Sequence, residues 1–185
     1  ALAPDVAVHT GDLVYVRGEA ENFNPYYFEP YKELISRINV FNSLGNHDYL
    51  TEAAQPYLDA LYLPSNNAAG TERYYSFDYA NAHFVAVDTN QDFLPGSPQH
   101  EWLAADLGAS SAVWKVVFHH HTPYTAGVTH VGDAINAEIR ASLGSLYDLH
   151  GVDFVLTGHT HAYERSLPIR DQAVATTDEG PDYVD

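Results

Sequence analysis

Short apolar runs alternate along the chain with longer segments of helical period, and run after run ends in Gly, Asp, Asn or His. Alternation of strand-length and helix-length segments favours an α/β layered fold over an all-α or all-β one. Residues 5–9 read as a strand that runs into Thr10-Gly11-Asp12, and a helix follows over 24–38 with Pro25 in its first turn. The pattern then predicts a strand over 39–44 ending at Gly45, a helical stretch over 51–61, and a hairpin of strands 73–79 and 83–88 around Ala80-Asn81-Ala82. Ser97 and Pro98 open a helix to about residue 107, followed by a strand over 113–118, a helix over 133–149 and a strand over 152–157. Residues 171–185 are polar and weakly patterned, and no internal repeat is visible.

The polar residues at the strand ends carry the chemistry. Four loops hold Gly11-Asp12 with Tyr15, Gly45-Asn46-His47-Asp48, His119-His120-His121, and Gly158-His159-Thr160-His161. In open α/β sheets the carboxyl edge is where ligands bind. Each group alone has an ordinary explanation: Gly-Asp and Asn-His-Asp are common turns, most of the 14 tyrosines must be packing or surface residues, and a His run can be a solvated strand end. Two imidazoles flanking Thr160 in one loop are harder to explain as packing. Side by side, the four loops supply Asp, Tyr, Asn and His to two cations.

Composition narrows the partners. Eight Lys plus Arg against 25 Asp plus Glu give a formal charge of -17, which repels nucleic acid and anionic membrane surfaces. An acidic protein that binds an anionic ligand needs another source of positive charge, and multivalent cations provide it. With no cysteine, disulfides and thiolate zinc sites are excluded, so any metal is held through N and O. The longest apolar runs, 83–87 and 113–118, are too short to span a bilayer, and 185 residues at 45% hydrophobic suit one sizeable core.

These motifs, together with the His preceding Pro123-Tyr124 and the extension Ala162-Tyr163-Glu164-Arg165, resemble the calcineurin-like metallophosphoesterases. Tyr15 and the Tyr163-Glu164-Arg165 extension look like the purple acid phosphatase branch, and Gln99-His100-Glu101-Trp102-Leu103 and Trp114-Lys115-Val116-Val117 are similar to stretches between its metal motifs. The resemblance covers about 4–168. It implies a layered β-sandwich flanked by helices, and hydrolysis of a phosphoric monoester, a small molecule, by a hydroxide bound to two metal ions, Fe(III) plus zinc, manganese or iron. It also implies roles: Asp12 bridges both ions, Tyr15 and His161 hold the iron, and Asn46, His120 and His159 hold the divalent ion. His47 and His130 would face substrate, His47 also protonating the leaving alkoxide. His120 is chosen by its spacing to Tyr124, and strand alternation then turns His119 and His121 to the opposite face.

The chain also departs from that branch. An Asp-x-Gly expected on an earlier strand, with a further iron ligand, does not precede Asp5, and Asp106-Leu107-Gly108 and Asp178-Glu179-Gly180 are out of order. The expectation is therefore a fragment: 1–170 as the central part of a catalytic domain, and 171–185 as a tail leading to missing closing strands. Such a fragment would be weak or inactive at the iron site. Two other readings stay open, a phosphodiesterase or nucleotidase of the same superfamily and a non-catalytic binding module on the same scaffold. Secretion, or export to a periplasm, is what the resemblance implies for location.

Overall fold

Val6–His9 forms strand β1, which pairs in parallel with β2, Asn39–Asn42, so that Val8 lies opposite Phe41 and His9 opposite Asn42. The computed structural model describes residues 4–175. Between these strands the chain makes a π-type segment, Asn24–Phe28, and helix α1, Glu29–Ile35, both begun by prolines whose missing N–H costs nothing in a first turn. Helix α2, Gln55–Ala60, follows the second strand. The hairpin of β3, Tyr75–Tyr79, and β4, Ala82–Ala86, continues through helix α3, Pro98–Ala109, into β5, Trp114–Phe118. Ser97 starts α3 by accepting the His100 N–H at 3.2 Å.

Helix α4, Ala134–Ile139, a second π-type segment, Arg140–Gly144, and α5, Ser145–His150, lead to β6, Phe154–Leu156. Gly151 closes α5 at φ +64°, a left-handed cap that suits a residue without Cβ. The main sheet has the order β3-β4-β5-β6, with β4, β5 and β6 parallel. Two-residue strands β7, Ile169–Arg170, and β8, Ala173–Val174, form a small hairpin, so the start of the weakly patterned tail is ordered. The remainder of that tail, Asp178-Glu179-Gly180 included, lies outside the described residues.

Two cores hold the layers. Between the sheets, Phe41 stacks on Phe77 at 3.6 Å and Phe77 on Phe84 at 4.9 Å, joined by Val8, Tyr75, Ala86 and Phe118. On the far side of the main sheet, Val85, Val117 and Val155 pack against Leu103 and Leu107 of α3 and against Ile139, Leu143 and Leu146. Helices outside, two sheets within: this is the layered α/β fold the sequence pattern predicts, in the sandwich form the resemblance implies. The inner face of β6 is less covered, with Phe154 and Leu156 exposed. Among the described residues no helix is long and apolar enough to cross a membrane.

Candidate metal centre

All the parallel strands point their carboxyl ends to one edge, where the loops after β1, β2, β5 and β6 meet. The approach is close. A Cβ on Gly45 would stand 2.1 Å from Asp12 Oδ1, and one on Gly11, at φ +92°, would stand 2.8 Å from His120 Nδ1. Asp12, His159 and His161 also hold positive φ, a strained conformation for residues with side chains and one that aims them at the cluster. Asp48, buried, accepts the N–H groups of Asp12 at 2.9 Å, Leu13 at 3.0 Å and Gly45 at 2.8 Å, so one carboxylate clamps the first two loops together.

His120 lies at the centre. Its Nδ1 is 2.8 Å from the Thr10 carbonyl oxygen, which requires Nδ1–H, so in the neutral imidazole Nε2 carries only a lone pair. That lone pair faces Asn46 Oδ1 at 2.9 Å, His159 Nδ1 at 3.1 Å and Asp12 Oδ2 at 3.3 Å. A single imidazolium proton would satisfy one of those partners, whereas a metal ion would satisfy all of them; the donor set of carboxylate, amide oxygen and imidazoles fits a borderline divalent ion. Asp12 Oδ2 also accepts from Tyr15 Oη at 2.9 Å, and Tyr15 Oη is 2.9 Å from His161 Nε2. Asp12 thus stands between two groups of side chains.

Charge follows from this arrangement. Burial opposes ionisation of Asp12, but His120, the His47 N–H and the Tyr15 hydroxyl outweigh it and hold its pKa at about 2. Burial, then the Asp12 charge, push the Tyr15 phenol upward, so it keeps its proton unless a strong cation displaces it.

The structure brings Asp12, Tyr15, Asn46, His120, His159 and His161 to one point. His47 stands at the edge of it, its ring 4.6 Å from Tyr15 and its Nδ1 2.6 Å from the Val16 carbonyl. His130 lies over His159 at 3.8 Å between ring centroids. His119 and His121 require a correction, because β5 ends at Phe118 and the alternation stops with it. His119 does turn away, stacking near Tyr147, but His121 lies 4.7 Å from the His159 ring and hydrogen bonds Thr89 Oγ1 at 2.8 Å. Burial lowers the pKa of His119 to about 4 and of His121 to about 3, so both stay neutral. Asp106 sits in α3, where it binds His83 and Ser76.

Three participants were not legible as such in sequence. Asp133 takes His130 Nδ1 at 2.8 Å and His159 Nε2 at 3.1 Å. An Asp before a helical run reads as an N-cap, and here the side chain makes no capping bond. Thr10 acts through its carbonyl, and Glu164 accepts Thr125 Oγ1 at 2.6 Å and the Ala126 N–H at 2.8 Å, tying the His130 loop to the His159-His161 loop.

An α/β sandwich that gathers a carboxylate, an amide and several imidazoles at its strand ends is the architecture of metallophosphoesterases. The chain belongs to the family described as Calcineurin-like phosphoesterase, which matches residues 1–163. Its curated relatives are purple acid phosphatases: it is 27% identical over 198 residues to "Probable inactive purple acid phosphatase 9" of Arabidopsis thaliana, covering 90% of this chain and 30% of that one. It is 39% identical over 107 residues to "Purple acid phosphatase 22" of the same plant, covering 56% and 24%. The purple acid phosphatase PPD1 from yellow lupin (Lupinus luteus) seeds has the same fold, with a TM-score of 0.81 at 21% identity over 94% of this chain and 34% of that one. The chain spans less than a third of the length of those two curated relatives.

Proposed function

We infer that the chain carries a binuclear metal centre that hydrolyses phosphoric monoesters. The observation that carries this reading is the bare His120 Nε2 facing Asn46 Oδ1, His159 Nδ1 and Asp12 Oδ2 within 3.3 Å. Asn46, His120 and His159 would hold a divalent ion, zinc, manganese or iron, while Tyr15 and His161 would hold Fe(III), and Asp12 would serve both. Such ions, when bound, activate water and neutralise charge on phosphate oxygens. The remaining work falls to side chains. His47, its Nδ1–H engaged by the Val16 carbonyl, would as the imidazolium present Nε2–H to a phosphate oxygen and pass that proton to the departing alkoxide. His130, its Nδ1 held by Asp133, likewise offers Nε2 from the opposite loop.

A second reading has its own support. Among the described residues only Asp12, Tyr15 and His161 face the iron half of the site, and two relatives are named as inactive. A scaffold that binds metal and phosphate without turnover fits those observations. One experiment separates the readings. The chain is stripped with chelator, reloaded with iron and zinc, and assayed with p-nitrophenyl phosphate and its bis diester. Preferred monoester turnover lost on chelation supports the hydrolase, diester preference shifts the reading to a phosphodiesterase, and metal uptake without either turnover leaves the binding module.

A further inference from the structure

We propose that Asp133 is a positioning residue that fixes the tautomers of His159 and His130, and thereby keeps His159 Nδ1 open for a divalent cation. The proposal rests on the metal-centre reading above and adds a residue that no motif singles out.

A neutral His159 has one ring proton and two places to put it. At Nδ1 it would face His120 Nε2, 3.1 Å away; at Nε2 it would face Asp133 Oδ2, also 3.1 Å away. A carboxylate is the stronger acceptor, since a bond to a charged group is roughly twice as strong as one between neutral groups. The proton therefore sits on Nε2. Nδ1 is left as a lone pair beside the lone pair of His120 Nε2, whose own proton is committed to Thr10. Two adjacent lone pairs form a socket for a cation. Without Asp133 the better hydrogen bond for His159 would be Nδ1–H to His120 Nε2, which would place a proton where the ion belongs.

The same oxygen takes His130 Nδ1 at 2.8 Å, and the His130 and His159 rings lie 3.8 Å apart. One carboxylate oxygen thus presents His159 by Nδ1 and His130 by Nε2, a ligand atom inward and a substrate-facing atom outward. Asp133 precedes α4 and leaves that helix start uncapped. Its side chain is 37% exposed, so its removal opens no cavity in either core.

The experiment uses the whole chain, metal-free and then titrated with zinc. Long-range nitrogen–proton correlation spectra above the ordinary histidine pKa read the tautomer of each ring. In the wild type His159 is expected as Nε2–H; in Asp133→Ala it is expected to switch to Nδ1–H. Zinc affinity should fall 10–100-fold, the range for loss of an outer-shell partner of a metal-bound histidine. Asp133→Glu, which keeps a charged acceptor, should restore the Nε2–H tautomer and recover most of the affinity, whereas the neutral amide of Asp133→Asn should recover less, a difference a purely structural role would not require. Retention of the Nε2–H tautomer in Asp133→Ala, or zinc affinity within twofold of wild type, would overturn the proposal. If the wild type takes up no zinc, the metal-centre reading fails, and the tautomer spectra still decide the role of Asp133.

Discussion

Tyr15 and His161, separated by 146 positions in the chain, meet at 2.9 Å, with Asp12 Oδ2 an equal 2.9 Å from the same phenol oxygen. The hydroxyl proton goes to Asp12, and His161 Nε2 meets the same phenol oxygen. Loss of that proton would leave a phenolate, a carboxylate and an imidazole in contact, an arrangement that only a highly charged cation tolerates. Tyr15→Phe is expected to fold normally, because the ring is 41% exposed, and to lose most bound iron together with the visible phenolate-to-iron absorption. Zinc affinity should change less than iron affinity. Metal analysis and absorption spectra check this, and an iron-loaded variant that keeps its colour would exclude Tyr15 as the chromophore.

Asp48 joins the first two loops through three backbone N–H groups and is buried. Its replacement by Ala strands three donors in a dry place, and the expected loss of stability is about 3 kcal/mol or more. Urea unfolding measures it. Metal affinity should fall in the same variant, since the loops bearing Asp12 and Asn46 lose their common anchor.

Glycine substitutions should divide by location. Gly45→Ala forces a Cβ to 2.1 Å from Asp12 Oδ1, against a backbone that cannot retreat, so metal binding and stability should both be lost. Gly144→Ala meets nothing within 4 Å on the α4–α5 rod and should stabilise by about 0.5–1 kcal/mol, as Ala is the better helix former. Thermal melts of the two variants should therefore move in opposite directions.

Away from the site, His83 is buried between Asp106, 2.9 Å from Nε2, and Asp78, 2.7 Å from Nδ1. The Asp106 hydrogen bond, aided by Asp78 and opposed by burial, raises its pKa above 6.5. A raised histidine pKa gives stability that is complete below 6.5 and fades as pH climbs through the elevated folded value. Melting temperature should therefore decline from neutral to mildly alkaline pH, and His83→Gln should flatten the decline while costing about 2 kcal/mol at neutral pH. A pH series of melts on both proteins tests it.

Strand ends were the most legible part of the molecule, because a glycine followed by Asp, Asn or His after an apolar run marks a turn that carries candidate ligands. Within the family resemblance, spacing to Tyr124 selected His120 among the three histidines, and the structure sets that ring among Asp12, Asn46 and His159. What sequence concealed is physical rather than statistical. The alternation used for His121 needs a strand, and the strand stops three residues earlier. The helix expected over 24–38 ends at Ile35 and starts as a wider turn around Pro25, since propensity marks a helical region without fixing its hydrogen-bond pattern. Division of the strands into a pair and a sheet of four depends on long-range pairing that no local pattern encodes.

The tie between Glu164 and the backbone of Ala126 bears on any attempt to redesign the rim. The two segments are joined by exposed hydrogen bonds from Thr125 and Ala126 to Glu164, so a transplant of either alone would hand those groups back to water. Exchanged together, they would travel as a cassette, and new recognition surfaces could be built on that pair while the strand-end residues beneath stay as they are.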